Sequence, residues 1–256
     1  MEPVFGQLLA TLMALWWPFV RVLAVLSFMP VIGDNLVPVT VRVLLALALA
    51  VVLLPVAAPP QPVSPFSLLG IVTTVEQVAI GLIIGLGFQM VMAVFGLLGY
   101  MASSQMGLAI AQMNDPMSGA SSDVVSGLIY VLTILIFFAV DGHLVFNGVV
   151  GASFRAWPVG AGIPAQALAV LPLQVGWVFS AALLLALPVI FSALVVQIGF
   201  GFLNRVAPTF NLFSLGFSLI IVFGLFVLAG MLRLIPQQYV QLTTRVLEML
   251  EQLMRG

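Results

Sequence analysis

Asp141, His143 and Asn147 place an acid, the chain's one histidine and an amide within seven residues of an apolar segment. Ionisable groups inside apolar segments are candidates for function, and these three suggest a proton relay. Their spacing of i, i+2 and i+6 does not stack them on one helical face, which needs i, i+3 or i+4. A structural helix break at Gly142, with hydrogen-bonded Asp141 and His143, is the favoured reading. The chain has no cysteine and a single histidine, so thiolate and multi-histidine metal sites are out of reach. It also has no H-E-x-x-H, no G-x-S-x-G and no P-loop, which ranks an intramembrane enzyme last. No catalytic residue, metal or cofactor is expected.

The remaining charges are few and oddly placed. All seven basic residues are arginine (Arg21, Arg42, Arg155, Arg205, Arg233, Arg245 and Arg255), against eight acids. Guanidinium keeps its charge when buried and presents a planar fork, which suits fixed pairing, although an arginine-rich genome explains the bias equally well. The near-zero net charge leaves no nucleic-acid footprint. Arg21 with Pro18, Glu76, and the Asp141–His143 pair all fall inside apolar segments. An ionised group at a helix centre costs roughly 2.5–3.5 kcal/mol in lipid, so these groups should face protein or water. Arg205, Pro208 and Asn211 mark a turn between the last two long segments. Arg205 could pair with Glu76 or with an acid on a partner, where buried pairs fix register; a simple capping arginine fits as well.

These residues need elements to hold them, and composition says which. The 256 residues are 63% hydrophobic and 6% charged, whereas soluble domains carry about 25% charge. Stretches 43–75, 77–114, 156–204 and 206–232 hold no charge, and a membrane-spanning helix needs about 20 apolar residues. Helical segments are predicted at 4–31, 40–58, 67–101, 124–150, 174–203 and 209–235, because backbone in lipid must bond internally and no strand-like alternation is visible. The expectation is an all-α integral membrane protein, one domain over 1–256, with broken helices packed inside an assembly. The N-terminus is read as retained structure, since Glu2 stands where a signal peptide would be basic. Arginine counts place both termini in the cytoplasm.

Glycines at helical spacing, Gly81 and Gly85 with Gly96 and Gly99 beyond, allow close approach of helix axes; an intrachain face and a subunit-packing face fit equally. Residues 55–65, PVAAPPQPVSP, are too proline-rich for helix and read as an extended turn. Residues 156–172 read as a loop with a short helix, with Trp157 at an interface. The 103–123 loop is longer than compact loops usually run and mixes methionine, glycine, serine, amide and acid, which is more often functional. The tail, 236–256, reads as an amphipathic helix with Val240, Val246, Leu247, Leu250 and Leu253 on its apolar side. Docking on a partner suits that helix better than lying on lipid.

Four stretches together resemble FliR-type proteins of the flagellar export gate, whose virulence counterparts are SctT-type proteins. They are RVLAVLSFMPVIGDNLVPVTVRVLLALALAVVLLP (21–55), EQVAIGLIIGLGFQMVMAVFGLLGYMASSQMGLAIAQMNDPMSG (76–119), GHLVFNGVVGASFRAWPVG (142–160) and NRVAPTFNLFSLGFSL (204–219). Departures occur at Thr209, where that family shows glutamine after the proline, and at Asp141, where a small or amide residue is expected. The resemblance implies a non-enzymatic subunit of a protein-secreting channel in the bacterial inner membrane, at the flagellar basal body. It also implies FliP-type and FliQ-type subunits as partners, a FlhB-type switch subunit at the entrance, and unfolded export substrates. The 103–123 loop would then plug the pore through Met106, Gly107, Ile110, Met113, Asn114, Asp115, Pro116, Met117 and Gly119. Methionine repacks around varied shapes, and Gly107 and Gly119 would act as hinges. The alternatives are the equivalent virulence subunit and a small-molecule transporter. The latter should show repeated halves, but the Arg21–Pro38 and Arg205–Phe217 regions share no sustained register.

Overall fold

In a computed structural model, residues 2–34, 37–57, 63–108, 123–162, 165–206 and 212–255 are described, and no strand occurs among them. Among the described residues eight helices follow one another: α1 (Glu2–Phe28), α2 (Val39–Ala57), α3 (Leu68–Gln105), α4 (Val124–Ala139), α5 (Gly142–Ala156), α6 (Ala165–Val206), α7 (Leu212–Leu232) and α8 (Ile235–Arg255). Four of these, α1, α2, α3 and α6, are long and apolar enough to cross a membrane. Counting the α4/α5 and α7/α8 pairs as one broken span each brings the total to six. The protein is a multi-helix membrane protein, as the apolar runs predict.

Helix ends follow local chemistry. The Ser67 hydroxyl accepts the Gly70 N–H at 3.0 Å and starts α3, and the Asp123 carboxylate accepts the N–H groups of Val125 and Ser126 to start α4; both satisfy first-turn donors that have no partner within the helix. At the other end of α3, Gly107 adopts φ 76°. Its N–H reaches Ser104 O and the Leu108 N–H reaches Ser103 O, the paired bonds of a left-handed glycine stop. Gly107 thus terminates α3. Proline does not end the helices where composition suggested. Pro55 lies inside α2, and the expected 156–172 loop is shorter because α6 begins at Ala165 and runs through Pro172 and Pro188. In an apolar setting the carbonyl freed by proline is a smaller loss than unwinding the helix.

The chain divides into two compact units. Unit 1 comprises 1–90, 140–174 and 243–256; unit 2 comprises 91–139 and 175–242. In unit 1 the core is built by Trp17, Val22 and Val25 of α1, Ile80, Ile83, Ile84 and Phe88 of α3, Phe146 and Val150 of α5, and Val246 and Leu250 of α8. The Phe88 and Phe146 rings meet edge-on at 5.6 Å. In unit 2, Phe95, Leu98, Met106, Ile129, Phe137, Ala182, Ala186 and Leu228 are buried, and Phe95 lies 5.9 Å from Tyr239.

The amphipathic tail emerges as α8, and its apolar side is occupied within the chain. Val246 and Leu250 are buried and sit 3.4–3.5 Å from the position a side chain would take at Gly87. Val240, assigned to the apolar side from sequence, is exposed, and Tyr239 is buried in its place.

Candidate functional site

The most concentrated polar chemistry lies inside unit 1, around Arg21. This residue is fully buried about two turns before the C-terminal end of α1, flanked by Trp17, Val22 and Val25. Each guanidinium nitrogen has a partner. Nε–H donates to Gln77 Oε1 at 2.8 Å, Nη1 to the Ser153 hydroxyl at 3.1 Å, and Nη2 to the carbonyl of Trp157 at 2.8 Å. The guanidinium carbon also stands 3.9 Å over the Phe154 ring, where the ring quadrupole attracts a desolvated cation. This is the fork geometry that lysine cannot reproduce.

Glu76 is the second buried charge, 3% exposed. Its Oε1 accepts the Gln77 Nε2–H at 3.0 Å and the Gly160 N–H at 3.0 Å, and its Oε2 accepts the Gly162 N–H at 3.1 Å. Gly160 and Gly162 have φ 84° and 104°, a backbone form that lets successive N–H groups converge on an anion. Gln77, fully buried, is the bridge between the two charges. A buried charge without partners is strongly destabilising, and here both are paired through hydrogen bonds. The pairing of Glu76 with Arg205 considered from sequence gives way to the loop amides; Arg205 is exposed in the last turn of α6.

A second arginine organises the α1–α2 turn of the same unit. Arg42 donates to the carbonyls of Ile32 (3.0 Å), Asp34 (3.1 Å) and Val37 (3.5 Å). The turn carries Val31 at φ 70°, which is strained for a β-branched residue. At Gly33 a Cβ would lie 2.5 Å from Met29 O, so only glycine fits.

The glycine stripe of α3 is largely used within the chain. A Cβ at Gly81 would lie 2.5 Å from Ala24 Cβ, and one at Gly85 would lie 2.7 Å from Phe28 Cβ, so both let α1 close on α3. In unit 2 a Cβ at Gly99 would meet Ser126 Cα at 2.6 Å, while Gly96 has open space. Asp141 is exposed and left-handed, φ 54°, with its carbonyl starting α5. The helix break therefore falls on Asp141 and not on Gly142. His143 is half-buried in the first turn of α5.

Of the residues assigned to the 103–123 loop, Met106 and Gly107 are described. Met106 is fully buried, its Cγ and Sδ 2.5 and 2.7 Å from the Cβ position of Gly224, and the Phe217 ring covers Gly107. Ile110, Met113, Asn114, Asp115, Pro116, Met117 and Gly119 lie outside the described residues, as do Pro208 and Asn211. Sequence reasoning missed Gln77, Ser153, Gly160 and Gly162. The signal available was an amide adjoining a buried acid and a glycine-spaced W-P-V-G-A-G loop.

Arg21, Glu76 and the Ser153–Phe154 pair come from three of the four resembling stretches, and they meet in one cluster. Comparison with known proteins extends the resemblance over most of the chain. The profile of "Bacterial export proteins, family 1" matches residues 12–246. The chain is 34% identical to the flagellar biosynthetic protein FliR of Pectobacterium carotovorum subsp. carotovorum, covering 92% of this chain and 90% of that relative. It is 32% identical to the FliR of Escherichia coli K12 over 90% of this chain and 88% of that protein. Identity to the FliR of Caulobacter vibrioides is also 32%, over 82% and 85%. With a buried arginine, a doubly held carboxylate and near full-length similarity in hand, the chain belongs to the bacterial export proteins, family 1, the family of flagellar biosynthetic FliR proteins.

Proposed function

We propose that the protein is a non-enzymatic subunit of the flagellar type III export gate. With FliP-type and FliQ-type subunits it forms the channel that passes unfolded flagellar proteins across the inner membrane at the basal body, and a FlhB-type subunit sits at the entrance. The observation that carries this reading is 34% identity over 92% of the chain to a flagellar biosynthetic protein FliR. The whole chain, 1–256, acts as one gate domain, with the two compact units as its parts.

Residues 103–123 act as the pore plug, with Met113 and Met117 supplying adaptable apolar bulk. Met106 and Gly107 form the root of that plug, since both are held against α7. Arg205, which is exposed, and Gly96, which has open space beside it, are available to a neighbouring subunit. Exposed apolar side chains such as Val51, Val52, Phe191 and Phe226 suit contact with lipid or with other apolar subunits.

Coexpression tests the assembly. Tagged protein should be recovered in a complex with FliP-type and FliQ-type subunits, whose intact mass gives the stoichiometry, and it should behave poorly when expressed alone. Recovery of a stable protein alone or as a homo-oligomer, with no binding to those subunits, would overturn the gate reading in favour of a transporter.

A further inference from the structure

The connection between α5 and α6 is held from below by a single carboxylate. Gly160, Ala161 and Gly162 are exposed, yet the N–H groups of Gly160 and Gly162 both turn inward to Glu76, 84 and 86 residues earlier in the chain. The other fixings of this segment are few. Arg21 Nη2 holds the Trp157 carbonyl, the Trp157 N–H closes onto Ser153 O, the Ala161 N–H reaches Pro158 O, and Val159 is buried. Beneath the segment lie Arg21, Gln77 and Ser153, all buried.

We infer that residues 157–162 form a strap whose closed position depends on the negative charge of Glu76. Three donors converge on its two oxygens: the amides of Gly160 and Gly162 and the Nε2–H of Gln77. A carboxylate accepts all three, and ionised acceptors make the stronger hydrogen bonds. An uncharged amide of the same volume has one acceptor oxygen and must turn an NH2 group toward at least one of these donors. Arg21, on α1, is the cation that Gln77 links to the carboxylate, so both charges sit under the same cover. Gly160 and Gly162 are exposed, with no helix ladder of their own to hold them, whereas α5 keeps its own ladder. Loss of the charge at residue 76 therefore lifts the strap without melting the helix before it, and opens a path from solvent to the Arg21 cluster.

Hydrogen exchange on the full-length chain, purified from membranes with its co-purifying subunits, reads those two amides directly. In Glu76→Gln, exchange over 158–162 should rise roughly tenfold or more, the scale of a lost hydrogen bond to a charged group, while 142–156 keeps its protection. Glu76→Asp, which keeps the charge but shortens its reach by one methylene, should give an intermediate rise in the same residues. Unchanged exchange at 158–162 in Glu76→Gln would overturn the inference. So would protection lost equally across 142–156, because the carboxylate would then be a general support for unit 1. If Glu76→Gln does not accumulate, the aspartate variant decides by the same criterion: a rise confined to 158–162 supports the strap, and no rise or a spread over α5 refutes it.

Discussion

Arg21 and Glu76 are joined through Gln77, which receives the arginine Nε–H on its oxygen at 2.8 Å and donates from its nitrogen to the carboxylate at 3.0 Å. The amide thus keeps two buried charges in one hydrogen-bonded chain, with Ser153, Trp157 and the two glycine amides completing their shells. Removing one member leaves the other desolvated and short of partners. Arg21→Ala should destabilise the protein by about 3–5 kcal/mol, seen as a lower unfolding temperature of the purified complex. Arg21→Lys should recover only part of the loss, because an ammonium cannot make the three-way fork or lie flat over Phe154. Equal stability of wild type and Arg21→Ala would remove this cluster as a structural centre.

Helix contact through the glycine stripe is testable position by position. Gly81→Ala places a methyl 2.5 Å from Ala24 Cβ and 2.8 Å from Arg21 O, and should cost about 1–3 kcal/mol. Ala24→Gly in the same chain should restore part of that stability. Gly96→Ala meets nothing within 4 Å and should be neutral to stabilising by about 0.5–1 kcal/mol in the isolated chain. A larger loss of assembly than of monomer stability in Gly96→Ala would identify that position as a subunit contact. Thermal unfolding and complex recovery, measured side by side, separate these outcomes.

The end of α3 should be intolerant of change. Met106→Ala opens a cavity against Gly224 and should cost about 2–5 kcal/mol. Gly107→Ala combines a left-handed backbone with a clash against Phe217 at 2.7 Å and should cost at least about 1–2 kcal/mol. Melting curves check both values.

Asp141 is a non-glycine residue at φ 54° with no side-chain capping bond. Asp141→Gly should therefore leave stability unchanged or raise it, by up to about 1 kcal/mol. A marked loss of export with stability intact would instead assign Asp141 a direct part in transport.

Deleting 109–119 spares the Met106 seat and removes most of the proposed plug. Assembled gates carrying the deletion should leak ions, raising membrane conductance. Unchanged conductance with assembly verified would refute the plug.

Much of this protein is readable from its residues, and what is not has a physical cause. The helical segments follow from charge-free runs, and the burial of Arg21 and Glu76 follows from the penalty of a bare ion in lipid. Helix limits at 55–57 and 165–172 are less legible, since proline's local preference yields where leaving backbone unbonded is the worse alternative. Two of the three donors to Glu76 are backbone N–H groups of glycines more than eighty residues away; no side-chain chemistry advertises those two. The helix stop at Gly107 is not legible either, because the bonds to Ser103 and Ser104 are set by the register of α3.

The sequence separations around the two arginines set an order for synthesis. Arg42 finds its carbonyls within 5 to 10 residues, so the α1–α2 hairpin can close almost as soon as it leaves the ribosome. Arg21 must wait for partners 56, 132 and 136 residues downstream. During that interval the first helix carries an unsheltered guanidinium about two turns before its end, and its insertion is provisional until the α5–α6 connection arrives. Truncated nascent chains ending before residue 157 should accordingly be the ones that membrane quality control removes.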